Sequence, residues 1–221
     1  MSNIQDRANA MMKTEGFQGV PLETFETGGR LQFMRLLEHG LVPESRVLEI
    51  GCGCLRIGYW LVRLLEPGGY SGIEPAKSRV DLGKSYLFDD ALLAAKRPEF
   101  DYNADFDTSV FDGKFDYFLA CSIWTHCSKA HIETMLDGFL ANTRDDAVFL
   151  ASYLPARDPK DDYTGDVWVG TSHESSTPGI VYHALDWIVK QCRARGLKLT
   201  EIPGIDLDGQ FWLRIERGNA G

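Results

Sequence analysis

No stretch of this chain narrows its fold as far as Arg46 to Gly58, RVLEIGCGCLRIG. A β-branched and leucine run carries an acidic residue, Glu49, near its end, and Gly51 and Gly53 follow. An amphipathic segment then begins directly. The pattern predicts a strand, a tight turn and a helix, with a carboxylate where the turn begins. Glycines at such a turn let the backbone approach a ligand closely and adopt dihedrals closed to other residues. This is the grammar of a nucleotide-type cofactor site at the carboxyl end of a parallel strand.

Two cofactor classes compete for that grammar, a dinucleotide and S-adenosylmethionine. A dinucleotide fingerprint needs a third glycine in G-x-G-x-x-G for close helix–strand packing. Arg56 stands at that position. Glu49 opposes the same reading, since a carboxylate beside a pyrophosphate repels it. A carboxylate suits a ligand that carries an ammonium group and no phosphate. The acidic-x-Gly-x-Gly phrase resembles motif I of the class I S-adenosylmethionine-dependent methyltransferases, with one departure: the family often carries a third glycine where this chain has Cys54. A second strand, GYSGIEP, ends in Glu74 and Pro75, about 20 residues past the glycines, where a ribose-binding acid is expected. NAD enzymes use an acid there too, so Glu74 alone does not discriminate.

The resemblance extends along the chain. Residues 100–107, FDYNADFD, look like the third strand and its exit loop. In the family that loop offers an acid to the adenine amino group and an apolar neighbour to the ring, which implies Asp105 and Phe106. Lys114 to His126, KFDYFLACSIWTH, has the apolar centre of a buried parallel strand. It resembles the fourth strand of small methyltransferases, whose exit loop lies above the transferring methyl group. The cofactor contacts implied are therefore Glu49, Gly51, Cys52, Gly53, Glu74, Pro75, Asp105, Phe106, Ser122 and Ile123. Roughly residues 28–217 are covered by the likeness.

The expected architecture is α/β: a Rossmann-like methyltransferase fold with a seven-stranded, mostly parallel sheet, a terminal antiparallel strand pair and helices on both faces. One domain over 1–221 is expected, with covering helices in 1–44, a cofactor-binding core in 45–153, a lid loop in 154–181 and a helix and strand pair in 182–217. Apolar spacing over 31–40 ends at Gly40, a C-cap signal. Helices are also expected over 55–65, about 76–95 (with a break) and 129–142, and over 182–196. Strands are expected at 147–153, 197–202 and 210–216. Residues 154–181 are polar, turn-rich and nearly aperiodic, and long loops of this kind in compact domains are functional lids or disordered. The alternating terminal pair is a feature of the methyltransferase family that an ordinary NAD domain lacks.

Composition excludes several function classes. The 221 residues are 44% hydrophobic, enough for one full core. No run approaches the roughly 20 apolar residues of a membrane span, and the N-terminus lacks a signal-peptide form. Five scattered cysteines suit reduced thiols in a cytoplasmic protein. A net charge of -9 with no basic block argues against a nucleic-acid partner. Cys52-x-Cys54 is too tight for the usual zinc spacing and has no second pair, so no metal is expected.

A methyltransferase needs orientation, exclusion of water and sometimes a base, because the cofactor supplies the difficult chemistry. His126, just past the fourth strand, is the candidate catalytic base; its alternative reading is a structural histidine near the Ser128 N-cap. Trp124, Tyr182, His183 and His173 are candidates for acceptor binding, each with an ordinary core or surface reading beside it. Trp168 is a further stacking candidate, and Arg30 and Arg56 are candidates for pairing with a methionine carboxylate. The expected activity is transfer of a methyl group from S-adenosylmethionine to a small-molecule acceptor, a sugar or secondary metabolite among the options, with oxygen favoured over nitrogen. A nicotinamide-dependent reductase and a noncatalytic interaction module are the rivals. The expected partner is a small molecule, not nucleic acid or membrane, and a homodimer is left open.

Overall fold

The computed structural model describes residues 3–14, 24–171, 175–205 and 209–218. Two compact units divide the chain, residues 1–103 and 104–221. A seven-stranded sheet runs in the order β3 (Glu99–Asp101), β2 (Tyr70–Ile73), β1 (Val47–Ile50), β4 (Phe115–Ala120), β5 (Thr143–Tyr153), β7 (Phe211–Arg217), β6 (Leu197–Ile205); seven strands ending in an antiparallel pair are the architecture expected from the sequence.

The first unit carries β1 (Val47–Ile50), β2 (Tyr70–Ile73) and β3 (Glu99–Asp101), paired in parallel with Glu49 opposite Gly72. All residues of β1 and β2 are buried, as strands covered on both faces must be. Among the described residues the helices that accompany them are α1 (Ile4–Met12), α2 (Phe25–Glu38), α3 (Gly58–Leu64), α4 (Lys77–Leu87) and α5 (Asp90–Lys96). Asn3 caps α1 by accepting from the Asp6 N–H, and Asp89 caps α5 by accepting from Leu92. The break expected within 76–95 falls at Phe88 and Asp89, where the backbone turns extended. α3 starts three residues later than the apolar spacing suggests, because residues 51–57 are spent on the turn.

The second unit carries β4 (Phe115–Ala120) and β5 (Thr143–Tyr153) in parallel, then β7 (Phe211–Arg217) antiparallel to both β5 and β6 (Leu197–Ile205). Its helices are α6 (Lys129–Asn142) and α7 (Leu185–Ala194). Phe115, Phe118, Phe139 and Phe149 form an edge-to-face and tilted ring cluster with centroids 5.6–5.8 Å apart. Each buried ring contributes about 1.5–3 kcal/mol of burial energy. Ser128 and His131 make a capping box that starts α6.

The described residues of 154–184, namely 154–171 and 175–184, form a strap. Its two ends run side by side through bridges between Pro155 and His183 and between Asp162 and Tyr182. Asp162 pins it by accepting from the Lys129 ammonium at 2.6 Å and from the Ala184 N–H at 2.9 Å. A short 3-10 turn, Pro159–Asp161, lies between. Helix α7 begins at Leu185 instead of Tyr182 because Tyr182 and His183 are committed to these bridges. No helix among the described residues is long and apolar enough to cross a membrane.

Candidate active site

In the first unit, the N–H groups of Gly51 and Cys52 both donate to the Ile73 carbonyl, at 2.8 and 3.0 Å, so the exit of β1 folds over the end of β2. Gly51 and Gly53 take positive φ of 74° and 52°, the region glycine enters without steric cost. Glu74 closes the turn. Its carboxylate accepts from the Gly53 N–H at 3.1 Å and the Ala76 N–H at 3.0 Å, with an Arg79 guanidinium nitrogen 3.8 Å away. A side chain built on Gly53 would meet nothing within 4 Å, so the turn has open space beside the carboxylate.

Glu49 is placed less openly. It is 3% exposed and accepts a 2.6 Å hydrogen bond from the Tyr70 hydroxyl. Burial pushes its carboxyl up to about 8, against the opposing pull of the Tyr70 bond and the Arg56 charge. Cys52 packs where a Cβ on Gly72 would come within 2.8 Å of its sulfur, so a glycine on β2 makes room for it. The two arginine candidates separate clearly. Arg30 pairs with Glu26 one helical turn back at 2.8 Å, whereas Arg56 lies against the Gly28–Gly29 pair of α2, where a Cβ on Gly29 would sit 2.7 Å from its carbonyl oxygen.

The third left-handed position of the turn is Leu55, with φ 63°, and not Cys54. Left-handed backbone costs a residue with a Cβ about 1–2 kcal/mol. Full burial of the Leu55 side chain offsets that cost. Two glycines vacate the space: a Cβ on Gly58 would lie 3.3 Å from Leu55 Cβ, and one on Gly83 would lie 3.0 Å from Leu55 Cγ and 2.6 Å from the Cys54 carbonyl oxygen.

In the second unit, Ser122 leaves β4 with φ 59°. A closed ring of hydrogen bonds holds it there: Ser122 N–H donates to Ser152 Oγ (2.8 Å), Ser152 Oγ donates to Gln210 Oε1 (2.7 Å), and Gln210 Nε2 donates to Ser122 Oγ (2.7 Å). Ile123 is buried beside it, Asp105 is exposed, and Phe106 is buried with φ 60°. The Phe106 ring tilts onto His131 at 5.1 Å and stacks with Trp168 at 6.5 Å.

Trp168 also stacks on His126, with centroids 5.5 Å apart and planes 26° from parallel. His126 Nδ1 lies 2.8 Å from the Val169 carbonyl. A carbonyl only accepts, so the proton sits on Nδ1 and the basic lone pair of the neutral ring sits on Nε2. The Val169 N–H in turn donates to the His126 carbonyl at 2.8 Å. Gly170, at φ 112°, presses against the ring: a Cβ there would lie 2.5 Å from Nδ1. Burial pushes the His126 pKa below its ordinary value, and bonds to the Val169 and Gly179 carbonyls oppose it.

The other acceptor candidates divide. Trp124 is fully buried, edge-on to Phe149, and His183 is fully buried with Nε2 3.2 Å from the Cys127 carbonyl. Both take their core readings, Trp124 filling the space over β5 and His183 fastening the strap. Tyr182 is 39% exposed. His173 lies outside the described residues. A cleft of about 470 Å³ opens instead between the start of α6 and the strap, lined by His131, Asp166, Val167, Trp168, Ser175 and Thr177 among others. Sequence reasoning missed His131, Val169, Gly170 and Gln210. Only His131 left a trace, as the third residue after an N-capping serine.

No protein-family model matches the sequence, and no curated protein matches it. Solved structures share its fold. A magnesium protoporphyrin IX methyltransferase from Synechocystis PCC 6803 with bound S-adenosylmethionine superposes with TM-score 0.63 at 15% identity, over 98% of this chain and 92% of that chain. The glycopeptide N-methyltransferase MtfA, complexed with S-adenosyl-L-methionine, gives 0.60 at 15% identity, over 86% and 94%. A ribosomal-protein methylase from Lactobacillus delbrueckii subsp. bulgaricus gives 0.59 at 12% identity, over 93% and 83%. At such identities the likeness is one of fold: this chain has the Rossmann-like fold of the class I methyltransferases. The three names span a tetrapyrrole, a glycopeptide and a protein, so the fold by itself leaves the acceptor open.

Proposed function

We propose that this chain is an S-adenosylmethionine-dependent methyltransferase acting on a small-molecule acceptor, on oxygen in preference to nitrogen. The observation that carries the reading is the Glu74 carboxylate, drawn onto the Gly53 N–H at the end of β2. A carboxylate so placed accepts from vicinal ribose hydroxyls. Glu49, buried under the same turn with its carboxyl raised to about 8, adds no second negative charge there, so the carboxylate that disfavours a pyrophosphate is that of Glu74 alone.

Glu74, Gly51 and Gly53 would hold the ribose and methionine end, and Asp105, Phe106, Ser122 and Ile123 are the residues assigned by resemblance to the remainder. S-adenosylmethionine supplies a methyl carbon that is already electrophilic, and its transfer leaves the neutral thioether S-adenosylhomocysteine. What the chain must add is orientation and a proton acceptor. His126 is that acceptor: its Nδ1–H is committed to Val169, so Nε2 takes the proton that an acceptor hydroxyl loses as its oxygen bonds to carbon. A cytoplasmic setting accords with five cysteines that are all free thiols.

Calorimetric titration with S-adenosylmethionine and, separately, with NADH tests the reading. Micromolar binding of S-adenosylmethionine that weakens at least about 100-fold in Glu74→Ala supports it, since bonds to a charged group contribute about 1.5–3 kcal/mol each. Binding of NADH alone would favour a reductase. Binding of neither would favour a noncatalytic module.

A further inference from the structure

We propose that the cleft between α6 and the strap receives the methyl acceptor, and that this acceptor is a ring bearing hydroxyl groups and no negative charge. The inference rests on the methyltransferase reading for the word acceptor, but the chemistry of the cleft stands independently. Its volume, about 470 Å³, lies inside the range of about 300–1,000 Å³ typical of small-ligand sites. Trp168 and Val167 supply apolar surface against which the edge or face of a ring can pack. Ser175 and Thr177 supply hydroxyls that donate or accept, and Asp166 supplies a carboxylate that only accepts. His131 lines the cleft as well, with its Nδ1 accepting the Ser128 N–H at 3.2 Å.

That inventory selects against negative charge on the ligand. No lysine or arginine is among the described residues that line the cleft, and the chain as a whole carries -9. A carboxylate or phosphate acceptor would meet Asp166 without a compensating cation. Ring hydroxyls find both donors and acceptors there. The cleft also shares a wall with the candidate base: the Trp168 indole that lines it is the one stacked on His126, and the next residue, Val169, holds the His126 Nδ1–H. An occupied cleft and a correctly presented base are thereby tied to the same two residues.

Hydroxylated rings come as sugars or as phenols, and one titration separates them. The full chain is titrated calorimetrically, with and without S-adenosylhomocysteine, using methyl α-glucopyranoside, catechol, glucuronic acid and protocatechuic acid as probes. Saturable binding of at least one neutral ring is expected, with its anionic counterpart about tenfold weaker or worse. Asp166→Asn should narrow that gap, and Trp168→Leu should weaken the neutral ring by about tenfold or more. The S-adenosylhomocysteine dissociation constant should stay within about twofold in both variants. Equal or tighter binding of the anionic rings, indifference to both substitutions, or no binding of either neutral ring overturns the proposal. Ring binding without any binding of S-adenosylhomocysteine would leave the cleft assigned and overturn the methyltransferase reading instead. Because Asp166 is exposed, Asp166→Asn keeps the test valid if Trp168→Leu does not fold.

Discussion

Glu74 and His126 are both held in place by main-chain groups, yet the two are held in opposite ways. Glu74 accepts from N–H groups of its own loop and of the glycine turn that packs on it. A short β-α-β unit supplies everything it needs. His126 donates to a carbonyl 43 positions further on, and its ring fits only because Gly170 has no side chain. The first arrangement is a motif that any strand-turn-helix can carry. The second exists only once the strap has closed on the start of α6. Substitutions at the turn should therefore act locally on affinity, whereas substitutions in the strap should act at a distance on rate.

The largest expected effect breaks that contrast if it is wrong. His126→Ala should lower kcat by about 10²–10⁴-fold, the usual contribution of a positioned base, and leave S-adenosylmethionine affinity nearly unchanged. Because burial lowers the His126 pKa, the rate should rise with pH to a midpoint below 6.5 and stay level above it. Equal loss of rate and of cofactor affinity would show that His126 is a structural residue of the loop.

Opposite pH dependences of stability come next. The Glu49 carboxyl is raised to about 8 from 4.5, so the folded chain holds a proton there that the unfolded chain releases. Its stabilising contribution is full below 4.5 and is lost as pH rises through the window up to about 8. His126 and His183 are shifted down by burial, so theirs is full above 6.5 and is lost as pH falls below it. Melting temperature measured from pH 5 to 9 should fall at the alkaline side in the parent and remain flatter there in Glu49→Gln. His126→Asn should flatten the acid side instead. Parallel curves for all three proteins would contradict both burial arguments.

How far the sequence reaches follows from the same contrast. The glycine turn, the seven-stranded, mostly parallel sheet and the terminal antiparallel pair rest on contiguous patterns, apolar runs and glycine spacing, and these were readable. Leu55 was not, because nothing in a leucine announces positive φ. What betrays it is the glycine at 83, in the middle of a helix, where local propensity disfavours one. Trp168, Val169 and Gly170 were unreadable as a unit, since their purpose depends on a ring 42–44 positions earlier. Gln210 likewise acts on Ser122 across 88 residues. Pairings that long obey no periodicity.

Gly83→Ala sharpens the point about Leu55. In an ordinary helix interior this change stabilises by roughly 0.5–1 kcal/mol. Here the new Cβ would lie 2.6 Å from the Cys54 carbonyl oxygen, a backbone atom that cannot swing away. The expected outcome is a net loss of about 1–3 kcal/mol, read as a melting temperature lowered by about 2–4 °C per kcal/mol in a chain of this size. A rise in melting temperature would mean that the turn can shift to admit the methyl group.

The smallest effect, and the cleanest for the second unit, concerns the ring of Ser122, Ser152 and Gln210. Gln210→Ala removes the acceptor of the Ser152 hydroxyl and the donor to Ser122 Oγ together. Both serine groups are held in a largely buried place, Ser152 fully so, and an unsatisfied buried polar group costs about 1–3 kcal/mol. Ser152→Ala removes the acceptor of the Ser122 N–H and also the donor to Gln210 Oε1, an edge that Gln210→Ala removes as well. If the three bonds act as one closed circuit, the second deletion should cost less once the first has been made. A double-mutant cycle should then give a coupling of about 0.5–3 kcal/mol. Additive losses would mean that the left-handed backbone at Ser122 is imposed by the end of β4 itself, which would make the loop after β4 as locally determined as the glycine turn after β1.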